Sequence, residues 1–334
     1  MSALMNSTVT LEEIYAPVER SLESVSGSMV DILSHANELT QEVVRYFFSV
    51  KGKQLRPALT LLGAALKTAD TALEKRAVRL GAALEIFHSA TLIHDDIIDD
   101  ALIRRNLQAV HLKWTPKVAV LAGDYFHDQA IKAIFEIGSQ ELLGLFLKTA
   151  GEVCDGEIRE LRERHNFDLT EAVYLDIIDK KTASLLACAL AGGAILAGAG
   201  EHEKNALLRF GLNFGRAFQV VDDLLDLTGT ESDFGKTLGA DCMAGVLTLP
   251  FIHFFSSAGP AKREALMNRY RQEFSPANVQ AVRELLRQEG SLDYAVKRAR
   301  EFSESARHEL AIFEETPARR SLERLLDYVL ERNK

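Results

Sequence analysis

Cysteine is scarce in this chain: among 334 residues only Cys154, Cys188 and Cys242 carry a thiol. They are too scattered for a disulfide framework or a zinc site, which points to a reducing compartment, with the cytoplasm as the expected location. Proline is nearly as sparse, with seven residues, so long helices can run uninterrupted. Sustained apolar/polar alternation is missing, which argues against a sheet-based fold. No Ser- or Pro-rich linker, low-complexity tract or repeat beyond one paired acidic motif divides the sequence, so a single domain over residues 1–334 is expected. Met1–Leu11 lacks the pattern of a secretory signal. Basic residues are outnumbered, 39 Lys and Arg against 48 Asp and Glu, and the net charge of −9 argues against a general nucleic-acid binder. One charge-free stretch approaches membrane length, Ala183–Ala199, but its many Gly and Ala residues predict a closely packed core helix rather than a membrane span.

What is present is helical periodicity. Apolar residues recur at three and four through Leu11–Leu39, Leu73–Ile93 and Ala281–Phe313. Polar breaks predict loops around Ser49–Gln54, Asn106–Lys117, His165–Leu169, Thr228–Val246 and Ser256–Pro260. The fold class read from this pattern is all-α.

The most informative stretch is Glu85–Arg105, EIFHSATLIHDDIIDDALIRR, an apolar helical lead running into carboxylates and then two arginines. On a helix Asp95 and Asp99 are one turn apart on one face, with Asp96 beside them. A second copy, QVVDDLLDL at Gln219–Leu227, places Asp222, Asp223 and Asp226 in the same order. One such motif alone could be a solvated acidic face; two, both set in apolar helices, predict an oxygen-lined cavity. Carboxylates without nearby histidine or thiolate suit hard cations, and Mg²⁺ is usually held by a few carboxylates while substrate phosphates complete its octahedron. Arg104 and Arg105 fit the same picture, because guanidinium contacts phosphate bidentately. A magnesium-bridged phosphate or diphosphate site follows.

A basic loop, KGKQLRP at Lys51–Pro57, precedes this stretch. Gly52 allows the backbone to turn close to a ligand, and Pro57 suits the first turn of a following helix. Lys53 and Arg56 would then aim cations at one spot. His88, two turns before Asp95, could add a donor, although a lone histidine is more often a satisfied core residue.

With these motifs in order, the chain resembles the trans-isoprenyl diphosphate synthases, the polyprenyl synthetase family. The likeness runs through IYAPVERSLESV, GKQLRPAL, EIFHSATLIHDDIIDDALIRR, VAVLAGDYF, KKTASLL, FQVVDDLLDLTG, FGKTLGAD, LTLP and YVLERNK. It implies a homodimer of all-helical subunits, each a bundle around a deep cavity. The implied reaction joins an allylic prenyl diphosphate head to tail with isopentenyl diphosphate, with Mg²⁺ as cofactor, three ions per active site. By resemblance, Asp95 and Asp99, with Asp96 in support, correspond to the first magnesium motif, and Asp222, with Asp223 and Asp226, to the second. Arg104, Lys181 and Lys236 match positions that hold the allylic diphosphate, with Thr182 and Gln219 nearby. Lys53, Arg56, His88 and Arg105 match the isopentenyl diphosphate site. The segment Thr228–Lys236 has the small, polar composition of a lid.

The chain departs from the family pattern in three places. It has Lys51–Gln54 where GGKR is frequent and Arg104–Gln108 where RRGxP is frequent. It has Gly245–Val246 where GK often precedes TLP, which removes a cation. The growing tail must run down the helix below Asp95, past Ala90 and Thr91 towards Phe87. In short-product relatives bulky aromatics stand four and five places before the first aspartate; Ala90 and Thr91 are small. A product of C20 or longer is therefore expected, with Phe87 a candidate limiter of chain length. Two alternatives are a non-catalytic subunit of a heteromeric synthase and a class I terpene cyclase.

Overall fold

The computed structural model describes residues 10–67, 71–229, 239–270 and 276–331. The first long periodic run is divided at two points. Leu11–Tyr15 (α1) passes into a 3₁₀ turn at Ala16–Val18, where Pro17 removes a backbone donor. Glu19–Leu33 (α2) then ends, and Asn37 caps Glu38–Phe47 (α3), its side chain accepting from the Thr40 N–H at 3.0 Å. Leu55–Ala65 (α4) follows the basic loop, and Thr71–Ile98 (α5) carries the first acidic motif at its end.

Residues 106–117, expected as loop, are more structured than that. Ile103–Arg104 (β1) and Leu107–Gln108 (β2) pair antiparallel across Arg105 and Asn106, both with positive φ, the backbone of a two-residue hairpin turn. Val110–Lys113 (α6) is a single helical turn, and Thr115 caps Pro116–Glu136 (α7), whose proline sits in the first turn. Gln140–Glu163 (α8) and Glu171–Ile178 (α9) lead into a π-helical turn at Asp179–Ala183, then Ser184–Leu196 (α10) and Glu201–Thr228 (α11). The remaining helices are Ala240–Met243 (α12), Leu249–Ser257 (α13), Pro260–Tyr270 (α14), Pro276–Gln288 (α15), Ser291–Glu309 (α16) and Pro317–Glu331 (α17). The periodic run 281–313 breaks at Gly290, which adopts φ +70° between α15 and α16.

The bundle closes around α10, which lies within the apolar Ala183–Ala199 stretch and is buried on nearly every face. Its small residues explain how it can be surrounded: a Cβ on Gly193 would stand 1.9 Å from the Thr60 carbonyl oxygen, and one on Gly63 2.1 Å from that of Leu190. On the other side Gly211 and Gly215 of α11 abut Ala187 and Ala183. Among the described residues no helix is long and apolar enough to cross a membrane. The architecture is the all-α helical bundle expected from periodicity. Its arrangement brings the ends of α5, α8 and α11 and the π-helical turn to one cavity.

Candidate active site

Asp99 at the end of α5, Lys181 and Thr182 of the π-helical turn, and Gln219 and Asp223 of α11 line one cavity of about 130 Å³. Glu160 and Glu163 of α8, Tyr174 of α9, and Asp241, Val246 and Thr248 also line it, together with apolar residues such as Ile177 and Leu247. The two acidic motifs, more than a hundred residues apart in sequence, therefore face the same space.

Each first-motif carboxylate has its own surroundings. Asp96 is buried, and its Oδ1 accepts from Arg104 Nε at 2.8 Å, while its Oδ2 is buried without a partner. Asp99 is exposed and accepts from Arg164 at 2.6 Å. The Asp95 carboxyl is pushed up to about 7 by burial first, then by the charges of Glu157 and Asp99, with Lys181 and Arg104 opposing. Glu157 reaches this point from α8; burial raises its pKa too, and its Oε1 has no partner.

The π-helical turn sets the cationic side of the cavity. Such one-turn insertions shift register locally and recur at functional sites. Gly156 lets it approach α8, because a Cβ there would stand 2.7 Å from the Lys181 nitrogen. Lys181 Nζ consequently bridges Glu157 at 2.9 Å and Glu160 at 2.5 Å. Burial works against its charge, but Glu160 and Glu157 outweigh it and raise the pKa. Thr182 Oγ1 donates to Gln219 Oε1 at 2.9 Å, and Gln219 Nε2 donates to Asp223 Oδ1 at 2.9 Å.

Within the second motif the three aspartates differ. Neighbouring helical residues point about 100° apart, so Asp222 and Asp223 cannot share one environment. Asp222 is exposed, whereas Asp223 is buried and its Oδ2 accepts from the Tyr174 hydroxyl at 2.6 Å. Burial, followed by Asp241, raises the Asp223 pKa against the two hydrogen bonds. Asp226 receives the backbone of the returning chain: its carbonyl accepts from the Gly239 N–H at 3.0 Å and its Oδ2 from the Asp241 N–H at 3.3 Å. Lys236 lies outside the described residues, as does most of the lid segment Thr228–Lys236.

The basic loop forms a second group of cations. Tyr15 Oη donates to the Lys53 carbonyl at 3.2 Å, and Gln54 takes a left-handed φ of +51°, so the chain turns sharply into α4. Arg56 is half-buried, and desolvation lowers its pKa to about 10 against the pull of Glu85. The hairpin turn presents Arg105 against Gly52, where a Cβ would stand 2.8 Å from its guanidinium, and over the Phe47 ring. His88 is also half-buried; desolvation, Arg56, Arg105 and Arg104 hold its pKa well below the ordinary 6.5, so the imidazole is neutral.

Below Asp95, Ala90 is buried, and the Thr91 hydroxyl donates to the His88 carbonyl at 2.9 Å. Phe87 is buried, its ring edge-on to Phe146 at 5.1 Å and tilted on His127 at 5.4 Å. Sequence reasoning overlooked Glu157, Glu160, Arg164, Tyr174 and Asp241. The visible signal was the GEIRELRER stretch, whose Glu157 and Glu160 share a helical face.

The donor set suits a hard divalent cation. Crowded carboxylates, one raised to about 7, and orphaned oxygens on Asp96 and Glu157 are what such an ion would relieve. Among the described residues no three His, Cys, Asp or Glu side chains converge tightly enough to hold an ion unaided. That matches a cation such as Mg²⁺, which keeps waters and takes phosphate oxygens for much of its shell.

Comparison with known proteins agrees. The polyprenyl synthetase family profile matches residues 37–288. The chain belongs to this family. It is 34% identical over 321 residues to an all-trans-nonaprenyl-diphosphate synthase (geranyl-diphosphate specific) of Rhodobacter capsulatus, covering 96% of this chain and 98% of that one. It is 32% identical over 305 residues to a geranylgeranyl diphosphate synthase of Saccharolobus solfataricus, covering 88% and 90%. Among solved structures, a polyprenyl synthase from Caulobacter crescentus complexed with calcium and isoprenyl diphosphate superposes with a TM-score of 0.90 at 32% identity, covering 98% of this chain and 100% of that one.

Proposed function

We infer that this polyprenyl synthetase condenses an allylic prenyl diphosphate with isopentenyl diphosphate, head to tail, to give a polyprenyl diphosphate of C20 or longer. The observation that carries this reading is the shared cavity: Asp99, Asp223, Lys181, Thr182 and Gln219 meet there, while Arg56, Arg105 and Arg104 surround His88 on α5. The relatives described above, whose names run from geranylgeranyl to nonaprenyl, support the product range. One polyprenyl synthetase domain over residues 1–334 carries the activity.

Asp95, Asp99 and Asp222 would hold Mg²⁺, with Asp96 and Asp226 at the edges of the shell and Asp223 fixing Gln219. When bound, the ion neutralises charge on the departing diphosphate. Lys181 and Arg104, with Thr182, Gln219 and Lys236, orient the allylic diphosphate so that positive charge already faces the oxygen that becomes anionic as the carbon–oxygen bond breaks. Lys53, Arg56 and Arg105 hold the diphosphate of the second substrate, and neutral His88 offers it a hydrogen bond. The apolar side chains below Asp95 keep water from the allylic cation until the second substrate's double bond attacks it. No protein base is assigned to the final proton loss; in this scheme the departing diphosphate takes the proton.

The apolar residues exposed on α7 and α8, among them Val120, Leu121, Leu147, Ile158 and Leu161, support a homodimer formed through these helices. One incubation tests the function: purified protein, Mg²⁺, labelled isopentenyl diphosphate and farnesyl or geranylgeranyl diphosphate. Longer prenyl diphosphates are expected. Hydrocarbon products would mean a cyclase, and absence of turnover a non-catalytic subunit.

A further inference from the structure

The corner that ends α8 brings a cation to the diphosphate cavity from an unexpected direction. Arg164 leaves the helix with φ −56° and ψ 137°, and His165 turns the chain with a left-handed φ of +60°. This turn is locked to the segment at Gly245: the His165 N–H donates to the Gly245 carbonyl at 2.8 Å. Its ring lies so close that a Cβ on Gly245 would stand 2.5 Å from Nε2. Val246 and Arg164 therefore flank the same cavity, Val246 lining it and Arg164 resting on Asp99, which lines it.

Val246 lines the cavity directly. Arg164 is mostly buried, its Nη2 donates to Asp99 Oδ1 at 2.6 Å, and its Nε is buried without a partner. A guanidinium in this state has donor capacity left over, and an incoming ligand with several anionic oxygens would use it bidentately. The charged groups lining the cavity are Asp99, Glu160, Glu163, Asp223, Asp241 and Lys181. With that excess of carboxylates, an anionic substrate needs every available cation.

We propose that Arg164 is a binding residue for the allylic diphosphate, supplying from the end of α8 the positive charge that Val246 does not provide from the adjoining wall. The proposal rests on the synthase reading above. In the free protein Asp99, in the cavity wall, holds the guanidinium; on binding, diphosphate oxygens accept from it.

The test compares wild type, Arg164→Ala, Arg164→Lys, Val246→Lys and the double variant Arg164→Ala/Val246→Lys. Loss of a charge-assisted pair predicts an allylic KM for Arg164→Ala raised about tenfold to a hundredfold. The isopentenyl KM should stay within about twofold, since a change confined to one substrate marks that substrate's subsite. Arg164→Lys should fall between, and the double variant should recover much of the lost affinity. Calorimetric titration with an unreactive allylic thiolodiphosphate should show the same order without turnover.

If Arg164→Ala binds the analogue as wild type does, raises both KM values alike, or is not improved by Val246→Lys, the proposal is overturned. A wild type that binds the analogue but makes no longer prenyl diphosphate overturns the synthase reading instead, and the titration still decides the role of Arg164. Should Arg164→Ala fold poorly, the Arg164→Lys titration decides: wild-type affinity refutes bidentate binding.

Discussion

Replacing Phe87 by alanine asks whether one ring sets the length of the product. Phe87 lies ~12 Å below Asp95 along α5, at ~1.5 Å of rise per residue. Its ring is buried against Phe146 and His127, so it joins α5 to α8 and α7 at that depth. Removing a buried phenylalanine costs about 3–5 kcal/mol, within the usual 5–15 kcal/mol of stability, so the variant should fold with a lowered unfolding temperature. The space opened is roughly one helical turn deep, ~5.4 Å, room for at least one further C5 unit. Chromatography of the products should show wild type stopping at C20 or beyond and Phe87→Ala shifted to longer chains. Phe87→Leu, which keeps most of the volume, should shift less. If Phe87→Ala loses stability while its products stay unchanged, the ring is a core residue and does not form the floor. A wild type that stops at C15 refutes the length assignment itself.

Other expectations follow from the same geometry. Asp95→Ala and Asp222→Ala should each abolish turnover while leaving the helical circular dichroism intact; retained activity in either would remove that residue from the metal assignment. Tyr174→Phe strips the buried Asp223 oxygen of its donor, at about 1–3 kcal/mol, and should raise the allylic KM through the Gln219–Thr182 chain; an unchanged unfolding temperature would count against it. His88 stays neutral in the fold, with its pKa well below the ordinary 6.5. The unfolded chain therefore takes up a proton that the folded one does not, and stability should fall as pH drops through about 6.5. His88→Gln should flatten that part of the pH profile in denaturant titrations, and a slope identical to wild type would contradict a neutral His88. Leu121, 67% exposed on α7, should be covered in a dimer; sedimentation of Leu121→Asp should then show monomers, and an unaltered dimer would move the interface elsewhere.

Much of this protein was legible before any coordinates. Three- and four-residue periodicity with few prolines is a local property, and it set the all-helical class. The spacing of Asp95 with Asp99 and of Asp222 with Asp226 follows from helical repeat alone. The charge-free Ala183–Ala199 stretch was readable as a core helix because its Gly and Ala residues permit close approach on every side.

Shorter features were harder to read. The hairpin at Ile103–Gln108 rests on two positive-φ residues, Arg105 and Asn106, without a glycine to signal the turn. The π-helical turn at Asp179–Ala183 has no sequence signature of its own, yet it sets where Lys181 points.

Residue chemistry and helical spacing alone therefore determined the class of fold and the carboxylate and cation inventory, and the order of the motifs along the chain carried the resemblance to a diphosphate-binding enzyme family. Tertiary structure decided the pairings: Arg104 on Asp96, Arg164 on Asp99, Lys181 between Glu157 and Glu160, and Asp223 turned to Tyr174. Those partners come from different helices, or from a helix and a hairpin, and their meeting depends on how helices cross and which face each presents. Glycines such as Gly156 set that through close approach, which no periodicity within one segment encodes.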